Sequence, residues 1–322
     1  MIDDNILDAV RTACADVAAR ASQVHIDHTR IAAYAASLPL DQLQAPQLDP
    51  QYHYLGHADD TVAFILTLDT INFGSGYFPY LRKRPGLSGY FTIAAALTEC
   101  FRQRGPFTAL ELTHLTARDC AELFGQDLHH EPISELMGLF ATALNDLGRY
   151  LLARFDGQFT SLVAAAGSSA ERLVRLLAEM PYFQDVAQYH GRTVPFYKRA
   201  QLTAADLFLA LNGQGLGSFT DLDRLTIFAD NLVPHVLRVD GVLRYDDALA
   251  MCIDAGEPIP AGSTAEVEIR AAAVHAVELL VAELRRSGHR VTAMGLDYLL
   301  WHRGQQPEYK AHPRHRTRTV FY

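Results

Sequence analysis

Cysteine is scarce in this chain of 322 residues, and none of its four cysteines belongs to a CxxC pair. Scattered cysteines in helix-like sequence are typical of reduced, buried thiols, so nothing indicates a disulfide framework. The fourteen histidines form no HExxH or other metal-ligand spacing. A P-loop, a dinucleotide-binding GxGxxG and a GxSxG nucleophile motif are missing as well. The sequence therefore gives no support for metal, nucleotide-cofactor or serine-hydrolase chemistry.

Long apolar runs and an excess of positive charge are also lacking. No run approaches the roughly 20 apolar residues of a membrane span, and the N-terminus, MIDDNILDAV, is acidic and amphipathic, unlike a signal peptide. The net charge of −9 leaves no electrostatic footprint for duplex nucleic acid. Arginines and lysines cluster at 82–84 and 314–318, either as solvated surface or as local basic patches. We expect a cytoplasmic protein that acts at neither a membrane nor duplex nucleic acid.

Helical periodicity dominates what is present. Apolar residues at helical spacing predict helices at 6–21, 28–38, 61–68, 89–102, 116–123, 132–155 and 168–180. Strand signals are few and fall at 24–26, 243–245 and 318–322. Because no repeat, low-complexity segment or clear linker interrupts the chain, we expect one compact, mainly α domain over 1–322. A subdivision near 150–200 is the alternative.

A glycine-rich turn divides two further predicted helices. The first begins near 203, the turn holds Gly213, Gly215 and Gly217, and the second runs from about 220 to 232 and carries Asp230. Helix, glycine hairpin and helix, followed by an aspartate, is similar to an element of base-excision DNA glycosylases. Such glycine-rich helix connections are common, so the likeness does not establish a function by itself.

Two charged side chains stand inside apolar stretches, where a charge is unfavourable unless it is paired or used. Asp230 lies in LTIFADNLVPHVLR at 225–238, and Pro234 predicts that its helix ends near 232. The negative end of a helix dipole favours a protonated carboxyl, which suits a general acid or base. The alternative is an exposed aspartate that closes the helix.

Arg270 stands on the apolar face of a helix predicted over 266–284. An arginine in that position needs an anionic partner, either an internal carboxylate or a substrate phosphate. Glu268 falls on the opposite face and is expected at the surface. Lys198 and Arg199 precede a helix predicted to begin near 201, so they flank a helix N-terminus that favours a phosphate. An ordinary cationic helix flank is the alternative.

Polar and aromatic side chains near 69–77 have the chemistry to bind a base. Asp69 and Asn72 are able to hydrogen-bond the edge of a purine-like ring, and Phe73 or Tyr77 to stack on it. Further candidates for stacking are Phe228 and Trp301. For each aromatic residue, packing in the core is the alternative.

Several of these segments, in the same order along the chain, resemble the queuosine salvage family, the queuosine-5'-phosphate N-glycosylases. The family pattern FADYRVPQ is matched at 228–235, and EVEIR is matched at 266–270. Further matching segments are LDTINF at 68–73, FDGQF at 155–159, FYKRAQ at 196–201, LDYLLW at 296–301 and HRTRTVFY at 315–322. Ordered matches of this kind are much more specific than one motif.

The resemblance implies an enzyme that hydrolyses queuosine 5'-phosphate to queuine and ribose 5-phosphate without a cofactor, for salvage into tRNA modification. Asp230 matches the family's catalytic carboxylate, as nucleophile or as general base, and Lys198 matches a contact for the 5'-phosphate. Cleavage of the N-glycosidic bond builds positive charge at C1', which a carboxylate stabilises. Queuine is a 7-deazapurine without an N7 to protonate, so Asp69 and Asn72 are expected to bind the base edge.

The chain departs from the family pattern close to Asp230. Asn231 and Leu232 replace Tyr-Arg, His235 replaces glutamine, and GSGYFP at 74–79 replaces an aromatic-rich segment. We count Asn231 and His235 among the substrate-binding candidates. The departures indicate a divergent bacterial-type branch, with the same substrate or with another 7-deazapurine or purine ribonucleotide.

Three other functions remain open at the level of sequence. One is a glycosylase acting on a DNA or RNA base, which the acidic net charge disfavours. Another is a non-catalytic protein that binds modified nucleosides and uses Asp230 for ribose hydroxyls only. The third is a helical scaffold protein, which the buried charges and the absence of repeats make the weakest of the three.

Overall fold

The protein is mainly α, as predicted, with a few short strands. The computed structural model describes residues 5–42 and 47–322, the side chain of Gln42 excepted, so the first four residues of the acidic N-terminus lie outside it. The helices are α1 (Ile6–Arg20), α2 (Ile31–Ser37), α3 (Ala58–Thr70), α4 (Gly89–Arg104), α5 (Ala109–Leu112), α6 (Ala117–Phe124), α7 (Glu131–Arg154), α8 (Phe159–Ala165), α9 (Ala170–Leu177), α10 (Lys198–Ala210), α11 (Val233–Val239), α12 (Asp247–Asp254), α13 (Thr264–Arg286), α14 (Ala293–Arg303) and α15 (Pro307–Lys310). None of the helices within the described ranges is long and apolar enough to cross a membrane.

The strands form two antiparallel pairs. β1 (Val24–Ile26) pairs with β4 (Leu243–Tyr245), as the strand signals predicted. β2 (Val186–Tyr189) pairs with β3 (Arg192–Pro195) in a hairpin that the sequence analysis missed. Its turn residues are His190 and Gly191, both with positive φ (46° and 75°), as a two-residue type I′ turn requires. The predicted strand at 318–322 is wrong, since only Arg316 forms an isolated bridge, with Pro258.

The chain folds into two compact units. Unit 1 draws its described residues from Met1–Pro46, Asp185–Lys198 and Asp223–Arg318, and unit 2 from Gln47–Gln184, Arg199–Leu222 and Thr319–Tyr322. The chain passes between the units at 184/185 and 198/199, inside the region named for a subdivision. The single domain over 1–322 stays a prediction.

Unit 1 is built around α13. Ser263 caps this helix by accepting a hydrogen bond from the N–H of Glu266. The helix packs against α1, α2, α11 and α14. Because it has neighbours on several sides, nearly every side chain between Val267 and Val277 is buried. A polar group on any face of α13 must therefore find a partner inside unit 1.

Unit 2 is built around α3 and α7. α3 is buried along its length from Thr61 to Thr70, which is typical of a central helix. It packs against α4, α7 and α8, while α5 and α6 cover other faces of α7. Edge-to-face aromatic pairs join the elements, such as Phe64 with Phe101 at 5.3 Å between ring centroids.

Candidate functional site

Asp230 lies at the start of a helix, not at the end of one. Residues 225–232 are not α-helical, and Pro234 occupies the first turn of α11, where its ring and missing N–H are tolerated. The helix predicted over 220–232 is therefore wrong, and Asp230 does not lie at the negative end of a helix. Instead, Asp230 Oδ1 accepts hydrogen bonds from the N–H groups of Leu232 (2.7 Å) and Val233 (3.3 Å). The positive end of the helix dipole stabilises a negative charge in this position.

The backbone before Asp230 is fixed by two buried ionisable side chains. The N–H of Phe228 donates to Asp297 Oδ1 at 2.8 Å. The carbonyl of Ala229 accepts from Arg270 Nε at 2.9 Å. These bonds replace those that a helix would have supplied, so the half-buried Asp230 side chain projects from an irregular but anchored segment.

Asp297, on α14, is a functional candidate that the sequence analysis missed. Its carboxyl is buried, and burial followed by the negative charge of Asp230 raises its pKa well above the usual range. The hydrogen bond from Phe228 N–H and the positive charge of Lys198 act in the opposite direction. In the sequence, Asp297 is an acidic residue inside the apolar run LDYLLW, and the same kind of pattern singled out Asp230. Asp297 therefore takes up a proton more readily than an exposed aspartate.

Lys198 is the first residue of α10, so that helix begins three residues before the predicted start near 201. Its side chain is buried, and its positive charge acts on the carboxyl group of Asp297. Its N–H donates to Asp185 Oδ2 at 3.1 Å. Arg199 is buried in unit 2, where its Nη1 donates to the carbonyls of Asp69 and Thr70. The two neighbouring cations therefore have different surroundings, and the charge of Lys198 acts on Asp297.

Arg270 has the internal carboxylate that was one of its two predicted partners. Its Nη1 and Nη2 donate to Asp185 Oδ1 (3.0 Å) and Oδ2 (2.6 Å), and Glu266 lies 3.4 Å from Nη1. The guanidinium also stacks over the ring of Phe196, 4.0 Å from its centroid. Through its ion pair with Asp185 and its hydrogen bond to the Ala229 carbonyl, Arg270 thus connects Asp185 to the segment that carries Asp230. A direct contact with substrate stays a prediction.

Glu268 was expected at the surface and is fully buried. Its carboxylate accepts from the N–H groups of Ser22, Gln23 and Val24, at 2.8 to 3.1 Å, and from the hydroxyl of Tyr189 at 2.9 Å. The helical wheel failed here because α13 is packed on the face opposite its apolar stripe as well. Glu268 anchors the start of β1.

Two of the residues that depart from the family pattern, Asn231 and His235, make internal hydrogen bonds. Asn231 is buried, and its Nδ2 donates to the carbonyl of His315 at 3.4 Å. His235 Nε2 donates to the carbonyl of Tyr309 at 2.9 Å, and burial lowers the pKa of its ring, which favours the neutral form. Their role in substrate binding stays a prediction.

The polar candidates in unit 2 lie at the end of α3. Asp69 is buried in the last turn of the helix, and Asn72 Nδ2 donates to its Oδ1 at 3.4 Å. Desolvation, followed by the negative charges of Asp206 and Asp69, raises the pKa of the Tyr90 phenol well above its usual range. The Tyr90 hydroxyl also lies 2.9 Å from His53 Nε2. Tyr90 and Asp206 were not predicted from the sequence, although Asp206 is an acid inside the apolar run AADLFLAL.

The aromatic candidates have the surroundings of core residues. Phe73 packs edge-to-face on Phe140 at 5.1 Å, and the buried Tyr77 donates its hydroxyl to Glu135 at 2.9 Å. In unit 1, Phe228 is buried against Tyr298, and Trp301 is half-buried against His302. Whether any of these rings also contacts a base stays a prediction.

Comparisons with known proteins converge on one family. The family model described as queuosine salvage protein matches residues 52–322. A curated relative from Sphaerobacter thermophilus, named queuosine 5'-phosphate N-glycosylase/hydrolase, is 39% identical over 318 residues, 97% of each chain. Relatives with the same name are 35% identical in Dictyostelium discoideum (81% of this chain, 78% of the relative) and 34% identical in Mus musculus (73% and 72%).

Proposed function

We propose that this chain, which belongs to the queuosine salvage protein family, hydrolyses the N-glycosidic bond of queuosine 5'-phosphate. The products are queuine, which becomes available for tRNA modification, and ribose 5-phosphate. The names of the relatives support the substrate. The observation in this structure that carries the proposal is Asp230, a half-buried carboxylate on an anchored segment, with a buried carboxyl group and a buried lysine close by.

Asp230 is the residue to which we assign the chemical step. Breaking the bond between C1' and the glycosidic nitrogen leaves the electron pair on the base and positive charge on the ribose. The Asp230 carboxylate stabilises that charge and either takes a proton from the attacking water or bonds to C1' itself, after which water releases the sugar. Both routes end with the water oxygen on C1'. One proton of that water replaces the sugar on the leaving base.

The leaving base needs stabilisation through its polar edges, because a 7-deazapurine has no N7 to protonate. We assign this role to Asp69 and Asn72, which are hydrogen-bonded to each other at 3.4 Å. The Asn72 amide can donate a hydrogen bond to the charge that develops on the departing base, and the Asp69 carboxylate accepts from ring or exocyclic N–H groups and so holds the base in place. Phe73, Tyr77, Phe228 and Trp301 are retained as aromatic contacts in this proposal.

The 5'-phosphate supplies binding energy away from the reacting bond. We assign its recognition to Lys198, whose ammonium is buried and so is poorly screened by solvent. Asn231, His235 and Arg270 complete the proposed set of residues at this end of the substrate. Asn231 and His235 also bond to backbone carbonyls of unit 1, so these two departures from the family pattern are compatible with the family's own substrate. The reaction is proposed to occur in the cytoplasm, on the free nucleotide, without a cofactor.

Product analysis with two substrates tests the function. The purified protein is incubated with queuosine 5'-phosphate, or with the unphosphorylated nucleoside queuosine, and release of queuine is followed by mass spectrometry. We expect release from the nucleotide at a clearly higher kcat/KM than from the nucleoside. Binding of the nucleotide without any release would instead support a non-catalytic nucleoside-binding protein. Equal rates on both substrates would argue against a phosphate site.

A further inference from the structure

We propose that the buried ion pair between Asp185 and Arg270 is a positioning device that holds Lys198 and Asp230 in register with each other. The pair contacts the backbone on both sides: Asp185 at Lys198, and Arg270 at Ala229, the residue before Asp230. This inference rests on the proposed function, because it concerns how that site is kept in working geometry.

Asp185 fixes the point at which Lys198 leaves the backbone. Its carbonyl accepts from the N–H groups of Phe196 (2.9 Å) and Tyr197 (3.2 Å), and its Oδ2 accepts from Lys198 N–H (3.1 Å). Three consecutive N–H groups therefore converge on one residue. Tyr197 has φ of +49°, a conformation that a non-glycine residue keeps only when its surroundings determine it. Asp185 provides that determination immediately before the helix on which Lys198 stands.

Arg270 fixes the segment that carries Asp230. Its Nη1 and Nη2 bind the Asp185 carboxylate at 3.0 and 2.6 Å, and its Nε binds the carbonyl of Ala229 at 2.9 Å. The guanidinium is planar and rigid, so one group sets the distance between that carboxylate and that carbonyl. The stack on Phe196 holds its plane. A displacement at either end of the pair is therefore transmitted to the other end.

Stability alone does not explain this ion pair. A buried pair recovers little more than the free energy lost on removing both ions from water, and well-packed apolar residues often replace such a pair without loss of stability. In contrast, apolar residues would make no bond to Lys198 N–H or to the Ala229 carbonyl. The hydrogen bonds to the backbone beside both site residues are what the pair adds to the structure.

Glu268, which lies on α13 together with Arg270, offers a matched control for Asp185. Like Asp185, it is a buried carboxylate that accepts several backbone and side-chain hydrogen bonds. Its partners lie at the start of β1 and on β2, not on the Asp230 segment. Glu268→Gln and Asp185→Asn each remove one buried charge while keeping the shape of the side chain, so both should lower the unfolding midpoint.

The test compares Asp185→Asn, Arg270→Lys and Glu268→Gln at a temperature where circular dichroism shows each to be folded. Two quantities are measured: kcat for queuosine 5'-phosphate, and the ratio of kcat/KM for the nucleotide to that for queuosine. We expect Asp185→Asn and Arg270→Lys to lower kcat by about tenfold or more, since small misplacements of catalytic groups carry such losses, and to lower the ratio. Arg270→Lys keeps the positive charge but cannot make the three hydrogen bonds of Nε, Nη1 and Nη2. The charge alone should therefore not maintain the wild-type kcat. Glu268→Gln should change neither quantity.

Two outcomes would overturn the proposal. In the first, folded Asp185→Asn and Arg270→Lys behave like Glu268→Gln, while Asp230→Asn still abolishes queuine release. The pair is then structural only, and the proposed function stands. In the second, wild-type protein releases no queuine, and the proposed function falls together with the positioning role. If Asp185→Asn does not fold, Arg270→Lys carries the test.

Discussion

Asp297 and Asp230 are neighbouring carboxyl groups with different surroundings. Asp297 is buried and accepts one hydrogen bond from Phe228 N–H at 2.8 Å, and the negative charge of Asp230 adds to burial in raising its pKa. Asp230 is half-buried and accepts two N–H groups at the start of α11. The environment of Asp297 therefore favours a neutral acid, while that of Asp230 places N–H donors against a carboxylate.

The raised pKa of Asp297 predicts a pH-dependent stability. A group whose folded-state pKa lies above its usual value of 3.8 stabilises the fold fully below that value and loses this contribution as pH rises through the folded-state pKa. Asn keeps the acceptor for Phe228 N–H and cannot ionise. The free energy of unfolding of wild type should therefore fall relative to that of Asp297→Asn as pH rises. Urea unfolding across a pH series measures the difference, and a constant difference would contradict the assignment.

Lys198 should determine the preference for the phosphorylated substrate. Lys198→Met keeps an apolar chain of similar length and removes the ammonium. Because a hydrogen bond to a charged group contributes about 1.5–3 kcal/mol, kcat/KM for queuosine 5'-phosphate should fall by about tenfold or more, with a smaller change for queuosine. Lys83→Met, at an exposed position, is the control and should leave both values unchanged. An equal loss on both substrates would remove Lys198 from phosphate recognition.

Asp69 should affect turnover through the leaving base. Asp69→Asn keeps the size of the side chain and replaces an acceptor-only carboxylate with an amide, so the hydrogen bonds that hold the N–H groups of the base in place during cleavage weaken. We expect kcat to fall by about tenfold or more, as for the loss of one charge-assisted hydrogen bond. Steady-state kinetics with Asp59→Asn, at an exposed position on the same helix, provides the comparison. Unchanged turnover in Asp69→Asn would show that the base is stabilised elsewhere.

Glu268 should be a major contributor to stability. Glu268→Ala leaves the buried N–H groups of Ser22, Gln23 and Val24 without their acceptor, and loss of acceptors for buried donors is expected to lower the free energy of unfolding by about 3 kcal/mol or more. Chemical denaturation measures the loss. Glu283→Ala, on the same helix, removes only a surface pair with Arg286 and should have a much smaller effect. If both substitutions had similarly small effects on the free energy of unfolding, Glu268 would not be a buried anchor for the start of β1.

Much of the helical framework was predictable because it depends on local signals. α7, α13 and the β1–β4 strands occur close to where apolar periodicity and strand patterns place them. The sequence was ambiguous at Pro234, because a proline that ends one helix is equally suited to the first turn of the next. The choice between these depends on the side chains of Asp297 and Arg270, which bind the backbone at 228–229 and are distant in sequence.

The composition of the proposed site around Asp230 was less predictable than this carboxylate itself. Asp230 and Arg270 stood out as charges in apolar runs, and Asp297 carried the same signal without being singled out. Asp185 has no local signal, since only the fold brings it to Arg270 and to Lys198 N–H. Glu268 was misplaced because a helical wheel identifies one buried face, whereas α13 is buried on nearly all sides.

The measurement that tests the account most directly is queuine release by wild type and by Asp230→Asn, without added metal, with binding of the nucleotide measured in parallel. Asn preserves the size of the side chain and an acceptor for Leu232 N–H, so the start of α11 should be retained. We predict release by wild type and a loss of at least about a hundredfold in the variant, with binding preserved. Release by Asp230→Asn at the wild-type rate would show that the chemical step does not depend on this carboxylate.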